Sequence, residues 1–188
     1  MSVLPILAYG DPVLKAKAKP IEKDHPELNT IINDMWDTMY KAGGVGLAAP
    51  QVGKSIRLFV IDANPYADEE PELKDFKKVF INARILEESG NEYSFNEGCL
   101  SFPGLREDIR RQPNIKLSYQ DEDFNDYEEV FSGIKARIIQ HEYDHIEGIL
   151  MVDRITPLKK TLLRKKLQNI SKGNVSVDYL MRFPLRKR

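Results

Sequence analysis

Cysteine is almost missing from this sequence: Cys99 stands alone among 188 residues. A lone cysteine cannot close an internal disulfide, which suits a reducing compartment and excludes the disulfide-stapled secreted scaffolds. Long apolar runs are missing too. No stretch approaches the roughly 18 apolar residues that a membrane-spanning helix needs. The opening MSVLPILAYGDPVL lacks both the basic start and the apolar core of a signal peptide. The expected location is therefore the cytoplasm, with no membrane partner. Internal repeats and low-complexity segments are also absent, and 188 residues with 41% hydrophobic content fit one globular domain, 1–188.

Net charge is only −1, but it is unevenly spread. Residues 157–188 carry ten Lys/Arg against one acid, leaving eighteen against twenty-eight in the rest. Two readings fit this basic end: a solvated helix face, or a surface for an anionic partner.

Three helices are expected. The first is 24–42, with Asp24 and Glu27 at capping-box spacing and an apolar stripe through Leu28, Ile31, Ile32, Met35, Trp36 and Met39. The second is 132–148, between Ser132 as N-cap and Gly148 as stop. The third runs from Thr156-Pro157 to about Gly173. RLFVIDA (57–63) and VFINARILEE (79–88) read as strands, and 114–131 as a hairpin. GVGLAAPQVG (44–53) is too rich in small residues for a regular element, and 64–78 reads as a polar surface insertion. Strands with isolated helices and no βαβ rhythm predict an α+β fold. In it, small antiparallel β-sheets would pack around a central helix carrying the HEYDH segment, with an N-terminal and a C-terminal helix.

HEYDH, residues 141–145, places His141 and His145 one helical turn apart, with Glu142 beside the first. Ile134 and Ile138 lie on the N-terminal continuation of that face, so the histidines extend an apolar stripe into the interior. Two core histidines would be the plain alternative, but only one other histidine exists in the chain. A catalytic divalent ion takes three protein ligands and leaves a position for water. Asp153 and Cys99 are the candidates for the third. Asp153 lies just past the helix. Cys99 sits upstream in NEGCLSFPG, a compact polar turn, and a thiolate suits zinc or ferrous iron. An inert buried thiol is the common fate of a lone cysteine, so these residues alone leave both ligands open.

Three segments then carry a resemblance. GVGLAAPQVG, EGCLS and HEYDH resemble, in that order, the GxGxAAxQ, EGCLS and HExDH motifs of peptide deformylases, and they span residues 44 to 148. The resemblance implies hydrolytic removal of the formyl group from N-formyl-methionyl nascent peptides, with formate released and metal-activated water as nucleophile. It implies a metal held by Cys99, His141 and His145, ferrous iron in the cell, with zinc, nickel or cobalt able to replace it. Glu142 would be the general acid/base, and the Gln51 amide and the Leu100 N–H would be the oxyanion donors. Gly46 would offer main-chain bonds to an extended peptide, Val45 would wall the methionine pocket, and Ile134 and Ile138 would be its floor as well as core. Arg106 would lie near the bound peptide, and Arg111 would pair with Glu97 to brace the cysteine turn. Members of this family with a basic C-terminal helix dock on the ribosome through it, which makes the ribosome an expected partner through 157–188. A monomer is expected. An HExxH endopeptidase using Asp153 and a non-catalytic metal site are the competing readings; the first needs neither Cys99 nor Gln51, and the second has no use for Glu142.

Overall fold

A computed structural model describes residues 2–185. At its centre is a five-stranded antiparallel sheet in the order β2-β3-β4-β7-β8. The strands are β2 (Gly46–Ala48), β3 (Leu58–Asp62), β4 (Lys77–Ser89), β7 (Asn114–Gln120) and β8 (Asp126–Ser132). A long helix packs on each face: α1 (Leu28–Lys41) on one and α2 (Gly133–Ile146) on the other.

The apolar run of β3 follows from that arrangement. Successive side chains on a strand point to opposite faces, so Leu58 and Val60 join the α1 cluster while Phe59 and Ile61 join the α2 cluster. Both sets are fully buried, which is why this strand is apolar at four successive positions before Asp62 and not at alternate ones. In β7, by contrast, only Ile115, Leu117 and Tyr119 face inward, and the residues between them are half-buried. The α1 stripe of Leu28, Ile31, Ile32, Met35 and Met39 is buried as its spacing predicts, whereas Trp36 is half-buried at the edge of the same cluster.

A second, two-stranded antiparallel sheet pairs β5 (Tyr93–Gly98) with β6 (Arg106–Arg111). The third joins the chain ends: β1 (Ile6–Leu7) runs parallel to β9 (Met181–Arg182). That pair is the exception to the antiparallel rule. It also gives the basic tail a place, as an added strand; residues 186–188 lie outside the described residues.

The α+β expectation holds, with corrections at particular elements. Helix α1 begins at Leu28, four residues later than expected, and the Asp24/Glu27 box does not form. Pro26 disfavours helical geometry at His25, and Glu27 is left-handed at φ 60°, so no helix can run through these residues. The third helix is two: α3 (Pro157–Leu162) and α4 (Arg164–Lys172), broken at Leu163. Only α4 has a buried face, through Leu167 and Ile170, whereas Leu158 and Leu162 of α3 are exposed. The segment 64–78 is not wholly superficial. Its two short 3-10 turns bring Leu73 and Phe76 into the core of the sheet. GVGLAAPQVG does contain regular structure, namely β2 followed by a 3-10 turn over Ala49–Val52. Hairpin β5-β6 has no sequence signal, because both strands are polar and largely exposed on one side.

Candidate active site

Three elements converge between α2 and the end of β5. Helix α2 supplies His141 and His145 one turn apart. Its helical spacing continues from Ile134 and Ile138, both half-buried against the sheet core. Strand β5 ends at Gly98, and the chain then turns tightly, with the Phe102 N–H donating to the Cys99 carbonyl at 2.8 Å. This turn presents Cys99 to the helix. The Cys99 Sγ lies 3.3 Å from His145 Nε2, and ligand atoms of Cys99, His141 and His145 all fall within 4.8 Å of one another.

The third element is the 3-10 turn after β2. Gln51 is buried there, and its Oε1 accepts from the Ala48 N–H at 2.9 Å. That bond fixes the amide, so its Nε2 donates toward Ser101 Oγ (3.2 Å) and Cys99 Sγ (3.6 Å). The glycine preceding this turn has a direct reason. A Cβ on Gly46 would collide with the Oε1, Cδ and Cγ atoms of Glu142, so any larger residue there would push the glutamate side chain out of its place. Gly44 is similarly pressed against the Leu100 side chain, where a Cβ would stand 2.8 Å from it.

Glu142 is buried, and its Oε2 has no hydrogen-bond partner among the described residues. Burial disfavours the charged form and raises its carboxyl to about 7. Glu97 shows the opposite outcome in a similarly buried setting. Burial raises its carboxyl too, but hydrogen bonds from His141 and Arg111 outweigh this and hold it well below the usual range. Burial, with positive charge at His141 and Arg111, pushes His145 well below its ordinary value, leaving a neutral ring with a free lone pair.

Behind the ligand face lies a buried charge network. Arg111 grips Glu97 with two bonds, at 2.8 and 3.0 Å, and reaches Asp144 at 2.8 Å. Glu97 also accepts from Arg137 at 3.0 Å and bonds His141 Nδ1 at 2.9 Å. The second bond turns the other ring nitrogen of His141 away from Glu97, as is usual for a metal-ligating histidine. Arg154 closes the network on Asp144. A buried ion pair that loses one partner typically costs about 3–5 kcal/mol, so this lattice holds β5, β6 and α2 in fixed register. The alternation of β6 explains how a charged residue came inside: Glu107, Ile109 and Arg111 share its inward face.

The expected Arg111–Glu97 pair is therefore present. Arg106 is exposed, bound to Asn96 at 2.8 and 2.6 Å and lying over Gly98. Asp153 is not with the other candidates. Its carboxylate is taken by Lys15 (2.6 Å), Lys160 (2.7 Å) and the Leu150 N–H (3.0 Å). Sequence reasoning missed Ser101, Arg137, Asp144 and Arg154. Asp144 and Ser101 were in plain view inside HEYDH and EGCLS, whereas Arg137 and Arg154 have no local signal.

The donor set suits a divalent ion of the first transition row. One sulfur and two imidazoles prefer iron, zinc, nickel or cobalt to magnesium or calcium. An orphaned carboxylate oxygen beside them marks room for a further polar group. No helix among the described residues is long and apolar enough to cross a membrane.

Comparison with known proteins agrees with this geometry. The family model for polypeptide deformylase matches residues 3–161. A peptide deformylase of Christiangramia forsetii is 58% identical, over 99% of this chain and 98% of its own length. The crystal structure of a peptide deformylase from Legionella pneumophila superposes with a TM-score of 0.79 at 39% identity, covering 92% of this chain and 98% of that one. For the enzyme from Thermotoga maritima the values are 0.75 and 41%, covering 84% and 100%. Likeness of this extent and identity, in sequence and in fold together, means that this chain belongs to the polypeptide deformylase family.

Proposed function

We propose that this chain hydrolyses the formyl group from N-formyl-methionyl nascent peptides, using Cys99, His141 and His145 to hold one divalent ion. The observation that carries the reading is the meeting of those three ligand atoms within 4.8 Å, beside a buried glutamate with an unpartnered oxygen. Bound there, the ion supplies Lewis-acid activation of water and of the formyl oxygen. Ferrous iron is the proposed ion in the cell, with zinc, nickel and cobalt as replacements. The proposed setting is the cytoplasm.

The chain's own groups do the rest. Glu142, with its carboxyl raised to about 7, is poised to take a proton from water and hand it to the departing amine near neutral pH. Negative charge develops on the formyl oxygen and needs donors already in place. The Gln51 Nε2 and the Leu100 N–H take that role, the first held by its bond to Ala48. Strand β2 is an edge of its sheet, so an extended peptide can add to it through main-chain bonds at Gly46. Val45 walls the methionine pocket, Ile134 and Ile138 floor it, and Arg106 borders the peptide path.

Gln51→Ala tests the donor assignment. Formate release from formyl-Met-Ala should fall in kcat by about 10²–10³ with metal content unchanged. A rate equal to that of the parent protein would remove Gln51 from the mechanism.

The basic end supports a second proposal, contact with the ribosome. Helices α3 and α4 expose Lys165, Lys166 and Arg164, with Leu158 and Leu162 among them. Replacing Lys165 and Lys166 by Glu should weaken co-sedimentation with ribosomes, and added salt should weaken it further. Unaltered sedimentation of the charge-reversed protein would sink the idea. The protein is proposed to act as a monomer.

A further inference from the structure

The turn that carries Cys99 and Leu100 is held from three directions. The Cys99 carbonyl accepts from the Phe102 N–H at 2.8 Å, which closes the turn itself. The Ser101 carbonyl accepts from the Tyr9 N–H at 2.9 Å, which ties the turn to the N-terminal segment. Between them, the Leu100 carbonyl accepts from the Tyr179 hydroxyl at 2.7 Å. This last bond reaches across 79 positions, from a tail that lies beyond the residues matched by the family model.

Tyr179 is itself fixed. It is half-buried, and it packs, as Leu100 does, against the cluster built on α1. Two residues later the tail pairs with β1, through Ile6 against Met181 and Leu7 against Arg182. The N–H of Ile6 bonds the Leu180 carbonyl at 2.9 Å, and that of Ala8 bonds the Arg182 carbonyl at 3.0 Å. The tail strand thus anchors the ring that grips the turn.

We infer that Tyr179 is a positioning residue for the reaction: its hydroxyl fixes the Leu100–Ser101 peptide unit, and with the Phe102 bond to the Cys99 carbonyl it holds both sides of the Leu100 Cα, so that the neighbouring unit carrying the oxyanion-facing Leu100 N–H cannot turn. The inference rests on the reading of Leu100 as an oxyanion donor. The physical reason is directional. A backbone N–H stabilises developing charge only if it already points at it, and reorientation during reaction would erode the benefit. Leu100 sits in a turn and not in a ladder, so neighbouring strands do not set its orientation. Its carbonyl is the one of the three held by a side chain, and therefore the one that a mild substitution releases.

The test is Tyr179→Phe, which keeps the ring and removes only the hydroxyl. It is assayed for formate release with KM, metal content and thermal midpoint measured on the same sample. The expected result is a kcat lower by about ten-fold, less than the 10²–10³ lost with a donor itself, with KM and metal content at parent values. Tyr179→Ala should lower kcat at least as far. A kcat at the parent value in Tyr179→Phe overturns the inference. So does a fall that merely follows lost metal or lost folded protein, which would make Tyr179 structural only. Failure of the parent protein to release formate would overturn the reading of the site, and this inference with it.

Discussion

Glu142→Gln should lower formate release by about 10²–10⁴, the range typical of a lost general acid–base group, while metal content stays at the parent level. The two side chains have the same shape, so the close passage of Gly46 beside Glu142 is preserved. Fold cost should be small. The carboxyl is already raised to about 7 by burial, so an amide replaces a group that the site holds only weakly in its charged form. Its Oε2 makes no protein hydrogen bond that the substitution would break. Because Glu142 is not among the clustered ligand atoms, the metal should remain. The fall therefore belongs to kcat, with KM little changed. Activity within a few-fold of the parent would take Glu142 out of the proton transfer.

Cys99→Ala should abolish activity by a different route, loss of the ion. Removing an outer-shell partner of a metal ligand already costs about 10–100-fold in affinity, and removing a ligand of three should cost more. Competition with a chelator would show it, and activity should track occupancy as metal is added back. No other group stands ready to replace the thiol. Asp153 is bound by two lysines and a backbone N–H, and Glu97 is committed to Arg111, Arg137 and His141. The apoprotein should stay folded, since Cys99 lies at a half-buried turn and the charge network behind it is untouched. Parent-level metal affinity in Cys99→Ala would show that the ion is held elsewhere.

How much of this was legible in the residues varies with the physics involved. Helix α2 was readable because its signals are local: a cap position, a 3.6-residue stripe and a glycine stop. Strand β3 was readable because burial on both faces makes an unbroken apolar run. The start of α1 was not, because the choice between a capping box at Asp24 and a left-handed Glu27 turns on Pro26 and the packing of Leu28. The break at Leu163 was equally hidden, since PLKKTLLRKKL keeps helical character through a bend set by which leucines find a core. At the site, HEYDH and EGCLS named the ligand candidates, but their meeting depends on β5 ending beside α2. Nothing in the order of residues says that Arg137 and Arg154 complete a buried network, or that Tyr179 reaches Leu100 across the fold. Those contacts join segments far apart in the chain, where no periodicity reports them.

The competing reading of HEYDH was an endopeptidase, and the two reactions leave different products. A formylated peptide, formyl-Met-Ala-Ser, incubated with anaerobically prepared, metal-loaded protein distinguishes them in one experiment, with formate and peptide products quantified together. The account predicts formate and Met-Ala-Ser in equal amounts, with every peptide bond intact. Formyl-Met released from Ala-Ser, without formate, would contradict it.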